Sequence, residues 1–197
     1  MSRFWIAGAG GSGTMWLARR LNSSPTHEVY HEEADPVHDP SMYWRPFPLE
    51  RWKGNHGECH SQLISHLSPL HHGAEREISH RYILHRPAKD VIRCWMNRDD
   101  CTHSDLGSVI HGVLTQQKRV LDYCESDPGC KRLYLDDLTT GVNNLQRLVD
   151  ELGLGFAVTP EMTANRVNAA KTYVWNWDIV TLELFKYIKW RYGHPDS

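Results

Sequence analysis

The chain has 197 residues, of which 40% are hydrophobic and 23% charged, an ordinary globular composition that predicts a single domain over residues 1–197. A formal net charge of −2 gives no basic field that would favour a nucleic-acid polymer, and no apolar run is long enough to predict a membrane span. Five cysteines without a C-x-x-C pair, and a first apolar run that leaves no room for a signal peptide, predict a cytoplasmic protein with free thiols.

A glycine-rich turn near the start of the chain separates two regular elements. Residues 4–7 form a short apolar run typical of a buried strand, and residues 16–21 have a helical pattern. Four of the six residues at positions 8–13 are glycine, so the backbone there can approach a ligand closely. The N–H groups of such a loop and the dipole of the following helix favour an anion. The sequence therefore predicts a phosphate or sulfate site here.

Two nucleotide-binding motifs compete for this loop. The spacing from Gly8 to Gly13 fits the G-x-x-x-x-G of a Walker A loop, but the next residue is Thr14, where that motif requires lysine. Gly8, Gly10 and Gly13 also fit the G-x-G-x-x-G of an NAD site, with the acidic pair at 32–33 about 20 residues further on as ribose ligands. Spacing alone leaves both types of site open.

Further strands and helices alternate along the chain. Strands are predicted over residues 28–31, 81–85 and 131–135. The proline-rich residues 36–56 are predicted to be irregular, and residues 62–70 a short helix or strand edge. Helices are predicted over residues 87–98, 106–124, 143–152 and 174–190. This alternation predicts an α/β fold in which helices cover a parallel sheet.

Arg86 directly follows the predicted strand over residues 81–85. Ligands of parallel α/β sheets bind outside the carboxyl ends of the strands, so Arg86 is expected to face the same crevice as the glycine loop. A guanidinium in that place is suited to a bidentate grip on phosphate. The alternative is a simple ion pair with Asp90 or Asp136.

Three stretches of the chain, taken in this order, are similar to the motifs of one protein family. Residues 11–17 read Gly-Ser-Gly-Thr-Met-Trp-Leu, residues 82–94 contain Arg-Pro-Ala-Lys-Asp-Val, and Tyr-Leu-Asp-Asp-Leu at 134–138 precedes Val-Asp-Glu-Leu-Gly-Leu at 149–154. Together they resemble the PAPS-dependent sulfotransferases, whose fold is related to the P-loop kinases. The resemblance implies a three-layer, P-loop nucleoside triphosphate hydrolase-like α/β fold. It also implies sulfuryl transfer from PAPS to a hydroxyl or amine of a small-molecule or glycan acceptor, without a metal.

The resemblance also assigns residues to the nucleotide site. The loop would present N–H groups and two hydroxyls to the 5′-phosphate, and Trp16 would lie against the adenine, a core position being its alternative role. The 3′-phosphate would lie between Arg86 and Cys94, which both follow the strand at 81–85. The nucleotide would be covered by Arg166 and Lys171. These cofactor-binding residues are Gly11, Ser12, Gly13, Thr14, Met15, Trp16, Arg86, Cys94, Arg166 and Lys171.

Two candidates for the general base follow from different branches of the family. One branch uses a histidine in a Thr/Ser-His-Leu-Pro stretch, which the Ser-His-Leu-Ser-Pro at residues 65–69 resembles, so His66 is the first candidate. An imidazole that titrates near neutrality is suited to this task. Other branches use a glutamate after the second strand, which points to Glu32 or Glu33.

The chain departs from the family pattern at two positions. Gly11 stands where the family carries lysine or arginine, and losing that cation is expected to cost about 3 kcal/mol of transition-state stabilisation. Cys94 replaces a serine and is a weaker donor. A PAP-binding protein with weak or no activity is therefore one alternative. An ATP-dependent phosphotransferase of the same fold is another, and the missing loop lysine counts against it. Candidate replacements for the missing cation are Arg19, Arg20, Lys53 and Arg93.

Overall fold

A computed structural model describes residues 2–31, 54–61, 78–98, 101–164 and 174–192. The strands in these ranges are β1 (Arg3–Gly8), β2 (Glu28–His31), β3 (His56–His60), β4 (His80–His85) and β5 (Cys130–Tyr134). The helices are α1 (Thr14–Leu21), α2 (Ala88–Met96), α3 (Leu106–Ser126), α4 (Leu135–Thr140), α5 (Val142–Glu151), α6 (Pro160–Ala164) and α7 (Trp177–Tyr192).

The five strands form one sheet in the order β2-β3-β1-β4-β5, and every neighbouring pair is parallel. β1 is the central strand, where Ile6 pairs with Cys59 of β3 on one side and with Tyr82 of β4 on the other. Because all strands run the same way, their carboxyl ends lie at one edge of the sheet. The loop after β1 and the residues after β4 therefore meet there. The predicted parallel α/β sheet is confirmed.

Helices pack on both faces of this sheet. Phe4 and Ile6 of β1 belong to a buried cluster with Leu17 of α1 and Leu145 of α5. The intervening Trp5 points to the other face and packs edge-on against Tyr123 of α3, with ring centroids 5.5 Å apart. A second buried cluster joins α2, α3 and α7. The molecule thus has the three layers that the sequence predicts.

The sequence does not predict β3, the strand between β2 and β1. The strands predicted at 28–31, 81–85 and 131–135 are present within one residue. β3 begins at the end of the segment that is predicted to be irregular and continues into residues for which the sequence predicts no element. Its sequence, His-Gly-Glu-Cys-His, has no apolar run, yet all five residues are buried. At Gly57 an added Cβ would lie 2.0 Å from the Phe4 ring, so the glycine makes room for the neighbouring strand's aromatic side chain.

The helix boundaries differ slightly from the prediction. Pro87 is the N-cap residue of α2, whereas the sequence predicts it as the first helical residue, and α2 ends at Met96. Helix α5 is followed by Gly153 with φ +68°, which ends it as expected. Within the part of the chain that the structure describes, no helix is long and apolar enough to cross a membrane. The predictions for residues 36–53 and 62–70 fall outside the described residues.

Candidate functional site

The loop between β1 and α1 turns sharply at the carboxyl edge of the sheet. The Ser12 N–H donates to the Ala9 carbonyl at 2.9 Å, and Gly11 and Gly13 have φ values of +83° and +103°. Both values lie in the region that favours glycine. The first α1 bond runs from the Leu17 N–H to the Gly13 carbonyl at 3.0 Å. The N–H groups at the start of α1 therefore lack intrahelical acceptors and suit an anion.

Arg86 lies against this loop, as its position after β4 predicts. Its Nη1 donates to the Gly11 carbonyl at 3.1 Å, and its own carbonyl accepts a 2.7 Å hydrogen bond from Gln117 Nε2 of α3. Among the described residues, Arg86 forms no ion pair with Asp90 or Asp136. The interaction with the loop therefore takes the place of the simple ion pair.

The two loop hydroxyls have different surroundings. Thr14 Oγ1 lies 3.2 Å from Nε2 of His31, the last residue of β2. Ser12 Oγ is buried, has no hydrogen-bond partner among the described residues, and would lie 2.1 Å from a Cβ added to Gly8. The Ser12 hydroxyl therefore lies against the backbone of Gly8. The proposed phosphate contacts of both hydroxyls stay predictions.

The first residues of α1 differ in exposure. Trp16 is 8% exposed within the cluster of Phe4 and Leu17, and the guanidinium of Arg20 lies 6.0 Å from the centre of its ring. Met15, by contrast, is 46% exposed at the loop end of α1. The core role of Trp16 is thus present in the structure, while its contact with adenine stays a prediction.

Helix α2 packs on the loop through two residues one turn apart. Val91 Cγ1 and the Trp95 ring lie 3.4 Å and 3.3 Å from a Cβ added to Gly11. Cys94, the predicted neighbour of a 3′-phosphate, is half-buried on the same helix. Its role stays a prediction.

The candidate cations are dispersed. Arg19 is exposed, Arg20 lies over Trp16, and Arg93 lies over the Trp175 ring at 5.9 Å. The cation that contacts residue 11 in the described structure is Arg86. The remaining predicted residues lie outside the described ranges: Glu32, Glu33, Lys53, His66, Arg166 and Lys171.

Three histidines lie together at the carboxyl edge of the sheet, and the sequence does not predict them as a set. His31, His60 and His85 are the last residues of β2, β3 and β4. His60 is fully buried and pairs in register with Ala7, the residue before the loop glycines. Burial lowers the pKa of His85, and the nearby Arg132 charge lowers it further. The available signal was the alternation of polar residues at 56, 58 and 60, which places them on one face of a strand.

The comparisons with known proteins support the fold. No protein-family model matches the chain, and no curated protein matches it in sequence. A crystal structure of the mouse sulfotransferase SULT7A1 complexed with PAP is similar, with a TM-score of 0.54 and 14% identity. The match covers 100% of this chain and 68% of the mouse chain. At this identity the similarity establishes a sulfotransferase-like fold only.

Proposed function

We propose that this protein binds an adenosine 3′,5′-bisphosphate nucleotide and transfers the sulfuryl group of PAPS to a hydroxyl or amine acceptor. The observation that carries the proposal is the hydrogen bond from Arg86 to the Gly11 carbonyl. It joins a cation after β4 to an anion loop after β1 at one edge of the sheet. The similar mouse structure, which is complexed with PAP, supports the choice of nucleotide.

Three groups at the carboxyl edge of the sheet would bind the nucleotide. The N–H groups at the start of α1 bind the 5′-phosphate, where the helix dipole favours negative charge. Arg86 uses one of its five N–H donors on Gly11, which leaves the others for the 3′-phosphate. The glycine loop lets the nucleotide approach the backbone.

The transfer step is an in-line displacement at sulfur. The acceptor oxygen or nitrogen forms a bond to sulfur while the bond from sulfur to the bridging phosphate oxygen breaks, and a base takes the acceptor's proton. Loop N–H groups stabilise the charge that develops on the leaving phosphate. His66 and Glu32 are the candidate bases from the sequence, and His60 joins them because it ends the strand beside β1.

Calorimetry with PAP, ATP and NAD tests the nucleotide assignment. We expect PAP to bind about ten times more tightly than the other two, because neither ATP nor NAD carries a 3′-phosphate for Arg86. Equal affinity for the three nucleotides, or none for PAP, would overturn the proposal. A clear preference for ATP would favour the phosphotransferase alternative.

A PAP-binding protein without transferase activity is the second candidate function, and Gly11 favours it. The residue has φ +83° and lies under the Trp95 ring, so a lysine or arginine at this position would be strained and crowded. Incubation with PAPS labelled in its sulfuryl group and a library of hydroxyl and amine acceptors separates the two functions. Labelled product supports transfer, whereas PAP affinity without labelled product supports the second candidate.

A further inference from the structure

Two side chains from different helices hold one glycine of the anion loop. The indole Nε1 of Trp95, on α2, donates to the Gly10 carbonyl at 2.7 Å. Oε1 of Gln116, on α3, accepts from the Gly10 N–H at 3.1 Å. Both backbone polar groups of a buried loop residue are thus satisfied by side chains 85 and 106 residues away in sequence.

The Trp95 ring also fills the space beside the loop. A Cβ added to Gly10 would lie 2.8 Å from Trp95 Cζ2, and one added to Gly11 would lie 3.3 Å from Cδ1 and Nε1 of the same ring. The guanidinium of Arg98 lies 4.7 Å from the centre of this ring and stacks on it. The indole therefore occupies space beside two successive glycines as well as donating a hydrogen bond.

These contacts fix the direction of a peptide group. In a trans peptide the carbonyl and the following N–H point in opposite directions. Because Trp95 holds the Gly10 carbonyl, the Gly11 N–H points away from the indole. Arg86 holds the next carbonyl, that of Gly11, in a similar way. A carbonyl that turned toward a bound anion would repel it, and the two donors oppose such a flip.

We propose that Trp95 and Gln116 are positioning residues that hold the loop in its anion-binding conformation. The identity of the bound nucleotide in this inference rests on the proposed function. The role of the two side chains requires only that the loop binds an anion. Gly11 is also linked to Trp95, because the indole that holds the Gly10 carbonyl also crowds any side chain at position 11.

Pyrophosphate and PAP titrations of the full chain test this inference. Trp95→Phe keeps an aromatic ring and removes the donor, so both ligands should bind about 3 to 10 times more weakly. Gln116→Met keeps the side-chain length, removes the acceptor and should weaken binding to a similar extent. Trp177→Phe, at a 62% exposed tryptophan of α7, is the matched control and should leave both affinities unchanged.

The readouts separate positioning from a structural role. Thermal unfolding of each variant is measured beside the titrations, which are made well below the unfolding temperature. Weaker binding by folded Trp95→Phe and Gln116→Met supports the inference, and Gln116→Met alone decides it if the tryptophan variant does not fold. A lowered melting temperature with unchanged affinities for pyrophosphate overturns it.

Failure of the inference and failure of the proposed function give different results. If the wild-type protein binds pyrophosphate but not PAP, and Trp95→Phe weakens pyrophosphate binding, the proposed function fails and the positioning role stands. If the wild-type protein binds both and the variants bind them equally well, the positioning role fails and the proposed function stands. Binding of neither ligand by the wild-type protein overturns both.

Discussion

Arg86 and Gly11 are separated by 75 positions in sequence, yet Nη1 of the arginine lies 3.1 Å from the carbonyl oxygen of the glycine. The parallel pairing of β1 with β4 produces this relationship, because it brings the residues that follow both strands to one edge. The contact gives the loop a fixed cation although its own sequence has none. Nucleotide binding should therefore depend on Arg86 more than on any side chain of the loop.

Arg86→Ala should weaken PAP binding about 10- to 100-fold, because a charge-assisted hydrogen bond contributes about 1.5–3 kcal/mol. Arg86→Lys should recover only part of this affinity, since an ammonium lacks the planar fork of the guanidinium. Calorimetry measures both changes. Arg119→Ala removes an exposed arginine of α3 and is the matched control for net charge. Equal affinities for the Arg86→Ala and Arg119→Ala variants would remove Arg86 from the site.

Gly11→Ala should destabilise the protein by about 1–2 kcal/mol, because a side chain at φ +83° is strained and its Cβ meets the Trp95 ring. Gly153→Ala has a similar φ of +68° in open space, so the difference between the two variants measures the contact with the ring. Gly112→Ala, in the middle of α3 with open space around it, should instead stabilise by about 0.5–1 kcal/mol. Urea unfolding gives all three values, and no difference between Gly11→Ala and Gly153→Ala contradicts the close packing of Trp95.

Stability should fall at acid pH through the ion pair of Arg81 and Asp127. The guanidinium makes two hydrogen bonds to the carboxylate, at 2.6 and 2.9 Å, and these chiefly hold the pKa of Asp127 below its usual value. A lowered folded pKa means that the carboxylate stabilises the protein above its unfolded pKa of about 3.9. This contribution is lost as the pH falls through the folded pKa.

Asp127→Asn should therefore lower the free energy of unfolding at pH 7 and have less effect near pH 3. Urea unfolding between pH 3 and pH 7 measures the difference from wild type. Asp122→Asn removes a carboxylate that pairs with Lys118 on the exposed surface of α3, and it is the control for an exposed ion pair, which contributes little to stability. An Asp127→Asn effect that is constant over this range would show that the ion pair does not cause the acid sensitivity.

His60 and His66 can be separated as candidate bases in the labelled-PAPS assay. Substitution of the true base by glutamine should reduce transfer about 100-fold or more and leave PAP affinity unchanged, since the base acts on the acceptor. Substitution of the histidine that is not the base should leave the rate of sulfuryl transfer close to that of the wild-type protein. Unchanged transfer in both variants would exclude both histidines as the general base and leave Glu32 as the candidate.

The sequence predicts the sheet edge better than the packing that supports it. The apolar runs at β1 and β4 and the glycines between β1 and α1 follow local rules, so the meeting of the loop and Arg86 could be predicted. β3 could not, because the alternation of polar residues at 56, 58 and 60 comes without an apolar run, and its burial depends on neighbours. The contacts of Trp95 with the loop also depend on how α2 packs, which no local pattern specifies.

A crystal structure of the protein with PAP would show whether the loop after β1 and Arg86 together bind the nucleotide. We expect the 5′-phosphate oxygens to lie about 2.7–3.2 Å from backbone N–H groups at the start of α1, with Arg86 within hydrogen-bonding distance of the 3′-phosphate. The Gly10 carbonyl should still accept from Trp95. A nucleotide bound away from this loop, or a 5′-phosphate without contact to its N–H groups, would show that the loop after β1 is not the nucleotide site.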